Sequence, residues 1–116
     1  MINELHIKNI GIIEDLSIKL KNGLNILTGE TGAGKTLIID SLQIIAGGRF
    51  SKEMIKTGEE VSFVELSLRI NKKDIIVSRE IYINGRNLCK INGRMVTVNE
   101  LREFMSKIIE IHRTNR

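Results

Sequence analysis

Residues 24–42 read LNILTGETGAGKTLIIDSL, and no other stretch limits the fold so strongly. An apolar run, Leu24 to Leu27, stops at Gly29. A second apolar pattern begins after Lys35-Thr36, with Leu37, Ile38, Leu42 and Ile45 at helical spacing. A strand must therefore become a helix across a few small residues. The octet Gly29-Glu30-Thr31-Gly32-Ala33-Gly34-Lys35-Thr36 fits G-x-x-x-x-G-K-[ST]. Such a turn aims successive backbone N–H groups into one concavity, and the helix N-terminus adds partial positive charge. A Cβ at the close-approach positions would block phosphate oxygens, which explains Gly32, Ala33 and Gly34. Lys35 supplies a full charge for β- and γ-phosphates, and the Thr36 hydroxyl is a hard oxygen ligand for Mg²⁺. The bland alternative is a glycine-rich turn with a solvent-facing lysine.

The rest of the chain frames that unit. ELHIKNI and EDLSIKL alternate as short strands, KNG turns into a third strand, LNILTG, and GKTLIIDSLQIIAGG is a helix ended by Gly47-Gly48. RFSKEMIKTGEE is irregular with a turn of helix. SFVELSLRI, DIIVSREIYI and NLCKING then read as three strands of an antiparallel meander, joined by NKKD, NGR and NGR. TVNELREFMSKI is a short helix with a Thr97/Glu100 capping box, and IIEIH reads as a final alternating strand. A strand-loop-helix unit combined with a meander argues for α/β or α+β with two subsheets.

Composition removes other classes. The chain has 116 residues, enough for one small domain, with 41% hydrophobic and 28% charged residues. One cysteine, Cys89, rules out an internal disulfide and reads as a small packed side chain; two histidines, His6 and His112, give no metal-ligand spacing. Both facts suit a reducing cytoplasm, and the charged start MINELHIKNIGIIEDL reads as neither a signal peptide nor a membrane span, so no membrane partner is expected. Aromatics are 3%, too few for base-stacking platforms. The net charge of +4 permits nucleic-acid contact but equally suits a basic solvated surface.

Hydrolysis needs a metal-holding acid and a group that positions water. No four-residue apolar run ending in Asp follows residue 36, and Glu110 has only two apolar residues before it. No catalytic residue is therefore assigned. The chain reads as the nucleotide-binding half of an ATPase.

The stretch LHIKNIGIIEDLSIKLKNGLNILTGETGAGKTLIIDSLQIIAGGR, followed by GGRFSKEMIKTGEE and INGRMVTVNELREFMSKIIEIH, resembles the start of the RecN family. That family is an SMC-like branch of the ABC-type ATPases, and the resemblance covers residues 1–112 in matching order. It implies an α/β P-loop NTPase of the ABC/SMC head type, N-terminal lobe: a mixed sheet around the P-loop helix and an antiparallel β meander. It also implies ATP with Mg²⁺, held by Gly29, Glu30, Thr31, Gly32, Ala33, Gly34, Lys35 and Thr36, with Thr36 on the metal. Asn9 and Ile10 match positions that approach adenine or ribose; Arg49 matches a position without a clear role. The implied setting is recombinational repair of DNA double-strand breaks, nucleoid-associated, with DNA as a partner. The missing C-terminal half of the head, or a second head, would complete the site. The departure lies at residues 113–116, RTNR, where the family continues with Gly-Gln-His-Glu. The Q-loop glutamine would fall at Thr114, which cannot reach as far. The expectation is a truncated product or fragment, or a head completed by a separate chain.

Two other classes stay open. A stand-alone P-loop kinase or transferase would need Asp40 or Asp74 as its acid. A DNA-binding module would rest on Lys8, Lys19, Lys21, Arg49, Lys52, Lys56, Arg86 and Arg94.

Overall fold

A computed structural model describes residues 3–20 and 32–114, with side chains for 4–19 and 38–108. The strand expected over LNILTG lies outside the described residues. Those described form a six-stranded sheet, ordered β2-β1-β3-β4-β5-β6. Its strands are β1 (Asn3–Ile10), β2 (Ile13–Leu20), β3 (Val61–Ile70), β4 (Lys73–Tyr82), β5 (Asn87–Ile91) and β6 (Arg94–Val96). Every pairing is antiparallel. Helix α1 (Gly32–Ile45) follows β2, and α2 (Val98–Thr114) follows β6. A short 3₁₀ turn, Lys52–Met54, lies in the connection from α1 to β3.

Strand period and turn chemistry explain the sheet. Along β3 the even residues Ser62, Val64, Leu66, Leu68 and Ile70 are buried while the odd ones are less so. They face the same side as Leu5 and Ile7 of β1 and Val77, Arg79 and Ile81 of β4. That face carries the core, completed by Ile44 and Ile45 of α1 and Leu101, Met105 and Ile108 of α2. The β3–β4 turn puts Asn71 and Lys72 at positive φ, and the β5–β6 turn does the same with Asn92 and Gly93. This is the two-residue geometry that matches strand twist. The described strands make one sheet rather than two subsheets, because β1 pairs directly with β3 across the α1 crossover.

Two expectations are corrected. The segment IIEIH is not a strand: it continues α2 to Thr114. Alternation over so few residues also fits a helix. Leu101, Met105 and Ile108 recur at helical spacing on the core, and no Gly or Pro between Val98 and Thr114 stops the helix. No apolar edge strand therefore ends the described residues. The second correction is β6: Arg94 read as part of a joint, and Met95 and Val96 were given no element. Asn92-Gly93 makes the turn, and Arg94–Val96 returns along β5.

Candidate phosphate-binding site

The helix that carries the motif is already formed at Gly32, where the described residues resume inside the octet. Gly32, Ala33, Gly34, Lys35 and Thr36 form its opening turn; Gly29, Glu30 and Thr31 lie outside the described residues, as do the side chains of Lys35 and Thr36. The first N–H groups of a helix have no intrahelical acceptor. No acidic residue sits in the first turn of α1 to occupy them or to repel an anion. A helix N-terminus made of Gly and Ala, followed by Lys and Thr, is a donor set that fits a polyphosphate with Mg²⁺.

The other end of α1 is built more elaborately than the sequence suggested. Gly48 N–H donates to Gln43 O at 2.9 Å and Gly47 N–H to Ile44 O at 3.1 Å, with Gly47 at φ +98°. This is a Schellman cap. Arg79, 2% exposed on β4, reaches into it. Its Nη1 donates to Ile44 O at 2.9 Å and to Gly48 O, and its Nη2 to Asn87 Oδ1 at 3.2 Å. The guanidinium lies 5.5 Å above the Phe50 ring, and the Phe50 main-chain carbonyl accepts from Asn87 Nδ2 at 2.9 Å. Burial lowers the Arg79 pKa; the neighbouring Cys89 thiol opposes that shift and the Arg102 charge adds to it. From α2, Arg102 Nη2 donates to Gly47 O at 3.1 Å. Sequence reading passed over Arg79. Its signal was an arginine placed between Val77 and Ile81 in an inward-facing alternation.

Asn9 and Ile10 mark the place where β1 leaves β3. Asn9 adopts φ +57°, a conformation Asn tolerates. Its Nδ2 donates to Val61 O at 3.1 Å, and its carbonyl accepts from Lys56 N–H at 2.8 Å and from Ser62 Oγ. Ile10 is buried and bridges to Ile55. Arg49 is exposed and lines a groove of about 680 Å³ beside the C-terminal half of α1, with Asp40, Gly47, Met54 and Arg102.

The acids of the kinase alternative do not meet at the motif. Asp40 is exposed on α1 and faces that groove, and Asp74 pairs with Arg69 at 3.0 Å in the β3–β4 hairpin. Among the described residues no cluster of three or more His, Cys, Asp or Glu could hold a metal. Cys89 is buried, as expected of a packing residue. The described basic residues on or beside the strands are split between the two ends of the sheet. By register, Lys8 and Arg86 lie toward the sheet end where β3 begins, while Lys19 and Arg94 lie toward the opposite end; Lys21 is outside the described residues. No described helix is long and apolar enough to cross a membrane.

A family model described as an AAA domain matches residues 4–115. The DNA repair protein RecN of Bacillus subtilis is 36% identical, over 97% of this chain and 22% of the relative. RecN of Vibrio cholerae is 30% identical, over 97% of this chain and 23% of that protein. The chain thus spans less than a quarter of the length of these curated relatives. Among solved structures, the SMC head domain from Thermotoga maritima superposes with TM-score 0.71 and 25% identity, covering 88% of this chain and 41% of that one. The recombination mediator protein RecF superposes at TM-score 0.73 and 19% identity, covering 87% and 29%.

Proposed function

We propose, on the premise that this chain belongs to the AAA domain family and has the fold of the N-terminal lobe of an SMC-type head, that it binds MgATP through residues 29–36. One observation carries this reading: Gly32–Thr36, the second half of the motif, form the first described turn of α1, with no acid in that turn. Main-chain N–H groups of Gly29–Gly34 would cradle the phosphates, and Lys35 would neutralise the β- and γ-oxygens. Thr36 would ligate Mg²⁺, which when bound screens phosphate charge. Toward the base and ribose, the turn shaped by Asn9 and Ile10 is assigned rather than their side chains. The Asn9 amide is engaged by Val61 and Ile10 is buried.

The chain is proposed to bind without turning over. Among the described residues no cluster of three or more His, Cys, Asp or Glu could hold a metal, and the fold is one lobe. Similarity to RecN supports a place in recombinational DNA repair, with DNA and the rest of a head, or a second head, as partners. These assignments concern the whole protein, of which the chain spans 22% of the relative's length.

Titration calorimetry with MgATP tests the reading. Saturable binding that is lost in Lys35→Ala supports it, and a Lys35→Ala chain that binds as the parent does overturns it. Phosphate release is measured alongside. Steady release that disappears in Lys35→Ala would overturn the claim that the chain does not hydrolyse ATP.

A further inference from the structure

A buried arginine ordinarily has a carboxylate partner, because an isolated charge is costly to remove from water. Among the described residues none pairs with Arg79, although it is 2% exposed. The counter-charge it does meet is the C-terminal end of α1. The last carbonyls of a helix lack intrahelical donors and carry about half a negative charge. Arg79 donates to two carbonyls there, Ile44 O and Gly48 O. Asn87 holds the other side of the fork, and Phe50 lies beneath it. A planar fork serves this task where an ammonium group would not.

Arg102 forms a second jaw. It grips Gly47 O from α2, so that β4 and α2 both hold the same helix end. Gly47 leaves room for it, since a Cβ there would lie 2.9 Å from Arg102 Cβ; a Cβ on Gly48 would press on the helix end instead, 2.7 Å from Gln43 O. Of the two arginines, only Arg79 is buried, and Arg102 is exposed.

The helix so gripped is 14 residues long, and its far end is the motif. At 1.5 Å per residue the two ends lie about 20 Å apart. A helix is stiff over that length, so its axis at the clamp sets where its first N–H groups point. We propose that Arg79, assisted by Arg102, is a positioning residue for phosphate binding: it fixes the axis of α1 against β4 from the end opposite the ligand. The inference rests on reading residues 29–36 as the nucleotide cradle.

The test uses the full chain and compares the parent with Lys35→Ala, Arg79→Met, Arg102→Ala and Ile70→Ala. Ile70 is a buried core residue at the distant end of β3, and its truncation supplies a loss of stability without touching the clamp. MgATP affinity is measured calorimetrically well below each melting temperature, with folding checked by circular dichroism. Hydrogen exchange at residues 32–37 is followed with saturating nucleotide. The expected result is about tenfold weaker binding in Arg79→Met and about threefold in Arg102→Ala, the scale of coupling through packed elements. Exchange at residues 32–37 should rise in both, while Ile70→Ala binds as the parent does.

A folded Arg79→Met chain that binds within twofold of the parent overturns the proposal. So does an Ile70→Ala chain that loses as much affinity, since stability alone would then explain the effect. If Arg79→Met does not fold, Arg102→Ala and Asn87→Ala decide, and parental affinity in both overturns it. A parent chain that does not bind MgATP overturns the nucleotide reading and the positioning role with it. A parent that binds, with Arg79→Met unchanged, overturns only the second.

Discussion

Gly47 and Gly48 are adjacent, yet each is glycine for a different reason. Gly47 needs positive φ and has Arg102 Cβ within 2.9 Å of where its own would lie. Gly48 has no such φ but would press a Cβ against Gln43 O at 2.7 Å. Gly58 has φ +90° and open space around it. Alanine at position 58 should therefore cost only conformational strain, about 1 kcal/mol. Alanine at 47 or 48 should cost about 2–3 kcal/mol, because helix end or arginine must also move. Thermal melts of the three variants check the order, and equal losses would contradict it. Glu53 offers a pH prediction. Its own backbone N–H, then the Ser51 hydroxyl, hold its carboxyl below the usual glutamate range. A folded-state pKa that is depressed contributes stability above the unfolded value, and that contribution is lost as pH falls through the folded value. Carbon-detected NMR titration should show the Glu53 midpoint rise toward the unfolded value in Ser51→Ala. At this scale the sequence made Cys89 legible as packing. Arg79 was not, because a lone arginine in a strand carries no spacing that says which helix end it will meet.

The best-read element boundary is the start of α2. Thr97 N–H donates to Glu100 Oε1 at 2.8 Å, and Glu100 N–H to Thr97 Oγ1 at 3.0 Å. This is the reciprocal box the four residues spell. Thr97→Ala should lower stability by about 1 kcal/mol, a melting shift of about 4 °C in a chain this size. Thr97→Ser should recover most of it. A Thr97→Ala melt identical to the parent's would show the box to be idle. Caps and turns are local, so their chemistry is written in consecutive residues; that is why α1's end at Gly47-Gly48 and the Asn-Gly turn were readable. The other end of α2 was misread for the same reason. Ile108-Ile109-Glu110-Ile111 has no local stop signal, and whether it goes on as helix is settled by Leu101, Met105 and Ile108 lying together on the core. The short β6 was missed because three residues are too few to show a period.

Across the whole molecule, strand order is the part least written in local sequence. Hairpins place consecutive strands side by side, but β1 lies against β3 with α1 between them in the chain. Only the shared need to bury Leu5, Ile7, Val64 and Leu66 on one face brings them together. The result is a thin body, 41 × 34 × 18 Å, with α1 held between the core at its C-terminal half and the motif at its start. If the motif binds MgATP as proposed, binding and folding of the sheet are linked, since the unfolded chain would have no cradle. A ligand that binds only the folded state stabilises it by RT ln(1 + [L]/Kd), about 2.7 kcal/mol at a hundredfold excess over Kd. For a domain near this size that raises the melting temperature by about 10 °C. The shift should grow with the logarithm of MgATP concentration, vanish in Lys35→Ala, and persist over hours if the chain binds without turnover as proposed. A shift that decays during incubation, with ADP accumulating, would place hydrolysis within this chain. A shift that survives Lys35→Ala would move the site away from the motif altogether.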